Sequence, residues 1–118
     1  MRRFIVGLFG ALLAGAAIAH HGGSMYDRES ETVVTGAVVK ELLFVNPHAR
    51  LYFTRTDEQG NVEEWEGELS SPNDFVRAGI YDDFVAPGDT ITVKGSLHRS
   101  RPHDIRVDVI VLADGTEV

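Results

Sequence analysis

The run "TVVTGAVVKELLFV", residues 32–45, constrains the fold more than any other stretch of the chain. It is dense in β-branched side chains, which pack well on a pleated surface and lose rotamer freedom in a helix. Fourteen residues is long for one strand, since strands of about five or six residues are commonest. Gly36 inside the run predicts a bulge or a sharp bend. "NPH" at 46–48 then ends the pattern, because Pro47 has no backbone donor for a ladder.

The rest of the chain follows in short pieces. "ARLYFTRT", 49–56, reads as a second strand with Leu51 and Phe53 on one face. "DEQGN", 57–61, is a turn cluster between hairpin strands. "VEEWEGEL", 62–69, is a third strand, with Trp65 and Leu69 expected inward and Glu64, Glu66 and Glu68 forming a solvated row. "SSPNDFVRAG" carries helix punctuation: Ser71 as cap, Pro72 in the first turn, Asp74 against the dipole and Gly79 as the stop. After the turn "APGD", 86–89, come "TITVKGSLH" as a fourth strand and "DIRVDVIVL" as a fifth. In the fifth, Ile105, Val107, Val109 and Val111 alternate and are expected on one face.

Three strands, a short helix and two more strands predict an all-β domain with one short helix, a small five-stranded OB-like Greek-key barrel. A small open sandwich is the alternative. Binding in OB folds gathers at the loops joining strands 1–2 and strands 4–5. The first holds Asn46, Pro47 and His48; the second holds His98, Arg99, Arg101 and His103.

The N-terminus has a different character. Arg2 and Arg3 precede an uncharged stretch from Phe4 to Ile18, and Ala17-Ile18-Ala19 has the small–x–small form of a cleavage site. This predicts a signal peptide over 1–19, a flexible arm over 20–31 and the barrel over 32–118. The apolar core falls short of the roughly 20 residues that span a bilayer, so no stable membrane anchor is expected after cleavage. The expected compartment is the periplasm.

Charge and cysteine usage narrow the function further. Eleven basic against 18 acidic residues give −7; without Arg2 and Arg3 the balance is nine against 18, or −9. Such a surface repels phosphate backbones, which excludes nucleic acid as a natural partner. With no cysteine there is no disulfide, no lipid-modified cysteine and no thiolate metal cluster. Nor does the chain carry a nucleophile motif or a phosphate-binding loop, so a binding module is expected before an enzyme.

The histidines carry the sharpest chemistry. Cleavage after Ala19 makes His20 the first residue, with a free amine next to its own imidazole. The two have ordinary pKa values of about 7.7–8.0 and about 6.5, so both release protons to a metal near neutral pH. Nitrogen donors of this type favour Cu(II) among divalent first-row ions. His21, in second position, offers a different mode through amine, amide and imidazole. His48, His98 and His103 are the remaining imidazoles available as partners. The expected function is a binding module that holds copper, or a similar divalent ion, for metal buffering or delivery. The alternative is a metal-free module whose loop face at Asn46, Arg99 and Arg101 takes a small anion or another exported protein. A copper oxidoreductase comes third, because so small a domain has little surface for both metal and substrate.

Several segments are similar to a known family: the paired histidines after the leader, "YD" at 26–27, "FVNPHARLYF" at 44–53, "SPNDFVRAGI" at 71–80, "PGDTITVKG" at 87–95 and "VLADG" at 111–115. In this order the chain resembles the exported bacterial proteins of domain-of-unknown-function family 6152 (DUF6152). The resemblance implies a small periplasmic β-barrel domain and brings no established activity.

Overall fold

Two bulges let β1, Thr32–Leu43, serve both of its neighbours. Its first part pairs antiparallel with β4, Thr90–Leu97, and its second with β2, Arg50–Thr56; Val38 faces partners on both sides. The register against β4 slips between Val34 and Ala37, where Gly36 has φ 65. The register against β2 slips between Val39 and Glu41. Each extra residue bends the strand and adds right-handed twist, and a side chain at φ 65 would be strained, which is why glycine stands there.

The computed structural model describes residues 25–118. The expected leader, His20 and His21 lie outside these described residues. The remaining elements are β3, Val62–Glu68, a six-residue helix α1, Pro72–Arg77, and β5, Asp104–Val111. The strands close a barrel in the order β1-β2-β3-β5-β4, with β1 against β4. The β3–β5 pair is parallel and the others are antiparallel. The domain is therefore mostly β with one short helix, and closure rules out the open sandwich. The strand order is compatible with an OB-like Greek key. Among the described residues no helix is long and apolar enough to cross a membrane.

The core draws on every strand, by alternation in β2 and β3 and with a shift of phase at the bulges of β1 and β5. Leu51 and Phe53 are fully buried as the pattern of β2 requires, and Trp65 stacks on Phe53 with ring centroids 5.8 Å apart. Ser71 caps α1 as expected, its side chain accepting from the Asp74 N–H, and Gly79 follows the helix with φ 77. β5 departs from strict alternation. Lys94 faces Val109 while Gly95 faces Val107, leaving Asp108 as an extra residue. The phase of the strand resets there, so Ile110, not Val109 or Val111, completes the buried set with Ile105 and Val107. A Cβ on Gly95 would sit 1.9 Å from the Arg106 carbonyl oxygen, so this backbone approach requires glycine.

The glutamate row of β3 also differs from a plain solvated face. β3 lies between β2 and β5, not at an edge, and each glutamate meets a cation. Lys40 lies 2.9 Å from Glu64, Arg50 3.0 Å from Glu66 and Arg106 3.2 Å from Glu68. Cross-strand pairing of opposite charges explains the row better than plain solvation.

Candidate functional site

The end of the barrel that carries the β1–β2 and β4–β5 loops is organised by a residue from the N-terminal segment. Tyr26 forms an antiparallel bridge with His98. The Asp27 N–H donates to the Leu97 carbonyl at 2.8 Å, and the Arg99 N–H donates to the Met25 carbonyl at 2.8 Å. Residues 25–27 thus extend the sheet beside the last residues of β4. Tyr26 is only 2% exposed, so this part of the expected free arm is seated against the barrel.

The Tyr26 hydroxyl lies 3.0 Å from a Glu68 oxygen and 3.0 Å from an Asp104 oxygen. A phenol has one proton, so it donates to one carboxylate at a time. Burial, reinforced by both carboxylates, pushes its pKa far above the ordinary tyrosine value and keeps it neutral. Each carboxylate has its own cation: Arg101 stands 2.8 Å from Asp104 and Arg106 3.2 Å from Glu68. Arg106 also donates to the Leu69 carbonyl at 2.8 Å.

The loop histidines sit around this centre in different states of commitment. His48 Nδ1 lies 3.1 Å from the Leu69 carbonyl and 3.4 Å from the Arg106 guanidinium; the first contact has Nδ1 donating and the second has it accepting, so the two belong to different tautomers. With Nδ1 donating to Leu69, Nε2 holds the lone pair; a Glu68 oxygen is 3.8 Å from it. His98 is arranged the opposite way. Its Nδ1 accepts from the backbone N–H groups of Arg101 at 2.9 Å and Ser100 at 3.1 Å. The lone pair of Nδ1 is therefore used by the turn, and Nε2 carries the proton of the neutral ring. Its ring meets Tyr26 edge-on, with centroids 5.2 Å apart. His103 has φ 53, places Nε2 2.8 Å from Glu63 and packs on Trp65 at 4.9 Å. Of the three, only His48 in that tautomer offers a lone pair that neither a turn nor a close carboxylate takes up.

The polar residues expected to hold an anion have neighbours of their own. Arg99 lies 3.8 Å from Asp27, and Arg101 is held by Asp104. Asn46 is exposed and precedes a cis bond to Pro47. Among the described residues no group of three or more histidine, aspartate or glutamate side chains is arranged to hold a metal ion.

Sequence reasoning did not single out Tyr26, Glu68, Asp104 or Arg106 as one cluster. Tyr26 is 42 residues from Glu68 and 78 from Asp104, separations that periodicity does not read. The local signals are an aromatic residue in the mostly polar segment before β1 and the "YD" pair at 26–27 that the family resemblance includes.

Comparison with known proteins adds a family and no activity. No curated protein and no solved structure matches the chain. A family model, that of a family of unknown function (DUF6152), matches residues 10–105, the same span that carries the seated tyrosine, both histidine-bearing loops and the strands beneath them. The chain belongs to this family of unknown function, DUF6152.

Proposed function

We propose that the chain is an exported, periplasmic binding module that holds copper through a mature N-terminus at His20, for buffering or delivery. In this reading the amine and imidazole of His20, or the amine, amide and imidazole of His21, supply the primary donors. His48 Nε2 is the imidazole best prepared to join them. His98 and His103 are weaker partners, because their ring nitrogens already serve a turn and Glu63.

The seat of Tyr26 carries the proposal. Tyr26 is six positions after His20, and a fully extended chain of six steps spans about 20 Å. Tyr26 touches both His98 and Glu68, and Glu68 lies 3.8 Å from His48. The anchor thus keeps any mature terminus at His20 within reach of the His48 loop. The metal-free anion reading is less well supported, since an anion at Arg99 or Arg101 must compete with Asp27 or Asp104. A copper oxidoreductase remains third for want of room beside the metal.

The test is calorimetric titration of Cu(II) into protein beginning at His20, alongside the same protein with its amine acetylated. Binding at micromolar or lower concentration that is lost on acetylation supports the arm. A further loss in His48→Ala supports the third donor. Absence of binding at micromolar copper, or binding indifferent to acetylation, overturns the proposal.

A further inference from the structure

A second site lies where α1 faces β5. A cavity of about 200 Å³ opens there, with Leu69 and Ile110 buried in its floor and Phe75 and Val118 in its walls. Two exposed residues with carboxylates, Asp74 and Asp108, stand on its rim, and among the described residues no basic residue lines it.

The β5 bulge makes this combination possible. Strict alternation would put Val107 on one face and Asp108 and Ile110 together on the other. With the extra residue, Val107 and Ile110 are both buried while Asp108 points outward, and all three border the same cavity. Asp74 is occupied: it accepts from the Ser71 hydroxyl at 2.8 Å and lies 3.6 Å from Arg77. Among the described residues the Asp108 side chain has no ion pair or hydrogen bond.

An apolar hollow with an uncompensated carboxylate at its mouth is complementary to a particular kind of molecule. The ligand has an apolar body and a cationic head. Its body fits against Leu69 and Ile110, its head reaches Asp108, and the Phe75 ring adds attraction for a cation. The cavity is smaller than the about 300–1,000 Å³ typical of drug-sized ligands, so the occupant is small. We propose that this cavity binds a small organic ammonium ion with an aromatic or branched apolar body, its charged head paired with Asp108. Among the described residues no histidine lines the cavity.

Benzylammonium is the probe, followed by two-dimensional amide NMR of the protein, with benzyl alcohol as the uncharged control. The expected result is saturable shifts confined to residues bordering the cavity, with a Kd of about 1 mM for a ligand of about eight heavy atoms. Asp108→Asn, a change at an exposed and unpaired side chain, weakens binding about threefold, and benzyl alcohol binds weaker by a similar factor. Raising salt to about 0.5 M weakens benzylammonium and leaves benzyl alcohol unchanged. Ala78→Leu at the exposed rim reduces both. Shifts that do not saturate by about 20 mM, alcohol binding as tight as the cation, or an unchanged affinity in Asp108→Asn would each overturn the proposal.

Discussion

Tyr26→Phe tests the anchor most directly. The substitution keeps the buried ring and removes only the hydroxyl, which lies 3.0 Å from both Glu68 and Asp104. Two acceptors do not mean two bonds, because there is one proton to donate. A hydrogen bond to a charged group contributes about 1.5–3 kcal/mol. Neither carboxylate is orphaned by the change, since Arg101 and Arg106 remain. The expected loss is therefore about 2 kcal/mol, not twice that. For a domain of this size it lowers the melting temperature by roughly 10 °C.

The same reasoning gives a pH signature. The folded pKa of Tyr26 is raised, while an unfolded tyrosine titrates near 10. Above about pH 10 the unfolded chain releases a proton that the folded chain keeps, so stability falls by up to about 1.4 kcal/mol per pH unit. The contribution is whole below the unfolded pKa and is lost as pH rises toward the folded value. Phenylalanine has no such proton, so the gap between the two proteins narrows from pH 7 to pH 11. Urea unfolding of both proteins at the two pH values measures it, with the slope against urea checked for constancy. Equal midpoints at pH 7, or a gap that is the same at pH 11, would refute the account of the hydroxyl.

Three further substitutions probe the barrel. Gly95→Ala sets a methyl carbon against the Arg106 carbonyl and should cost about 3 kcal/mol or more, read as a large fall in the urea midpoint or loss of cooperative unfolding. Phe53→Ala removes a fully buried ring that stacks on Trp65; a loss of about 3–5 kcal/mol and a shifted indole emission are expected. Ser71→Ala deletes the cap of α1 and should cost about 1 kcal/mol, measurable by thermal unfolding.

Most of the barrel was legible because strands write their burial into nearest-neighbour alternation. Leu51 and Phe53, the cap at Ser71 and the bend at Gly36 stand where local pattern and turn chemistry place them. β5 was misread beyond Val107 because a bulge leaves no fixed mark in composition; it is stabilised by its partner, here the close approach at Gly95. The glutamate row was read as wet because its cations come from β1, β2 and β5, which the β3 sequence does not show.

The amino-acid sequence alone determined a cysteine-free, acidic, β-rich domain with one helix, and two histidine-bearing loops, the second with arginines, because charge, periodicity and capping are properties of neighbouring residues. Tertiary structure alone decided that Tyr26 is buried between Glu68 and Asp104, that His98 gives its lone pair to a turn while His48 sits between the Leu69 carbonyl and Glu68, and that Asp108 stands unpaired beside an apolar cavity. Those facts depend on which distant strands meet and in what register. A single extra residue in a ladder is enough to change which face a side chain serves.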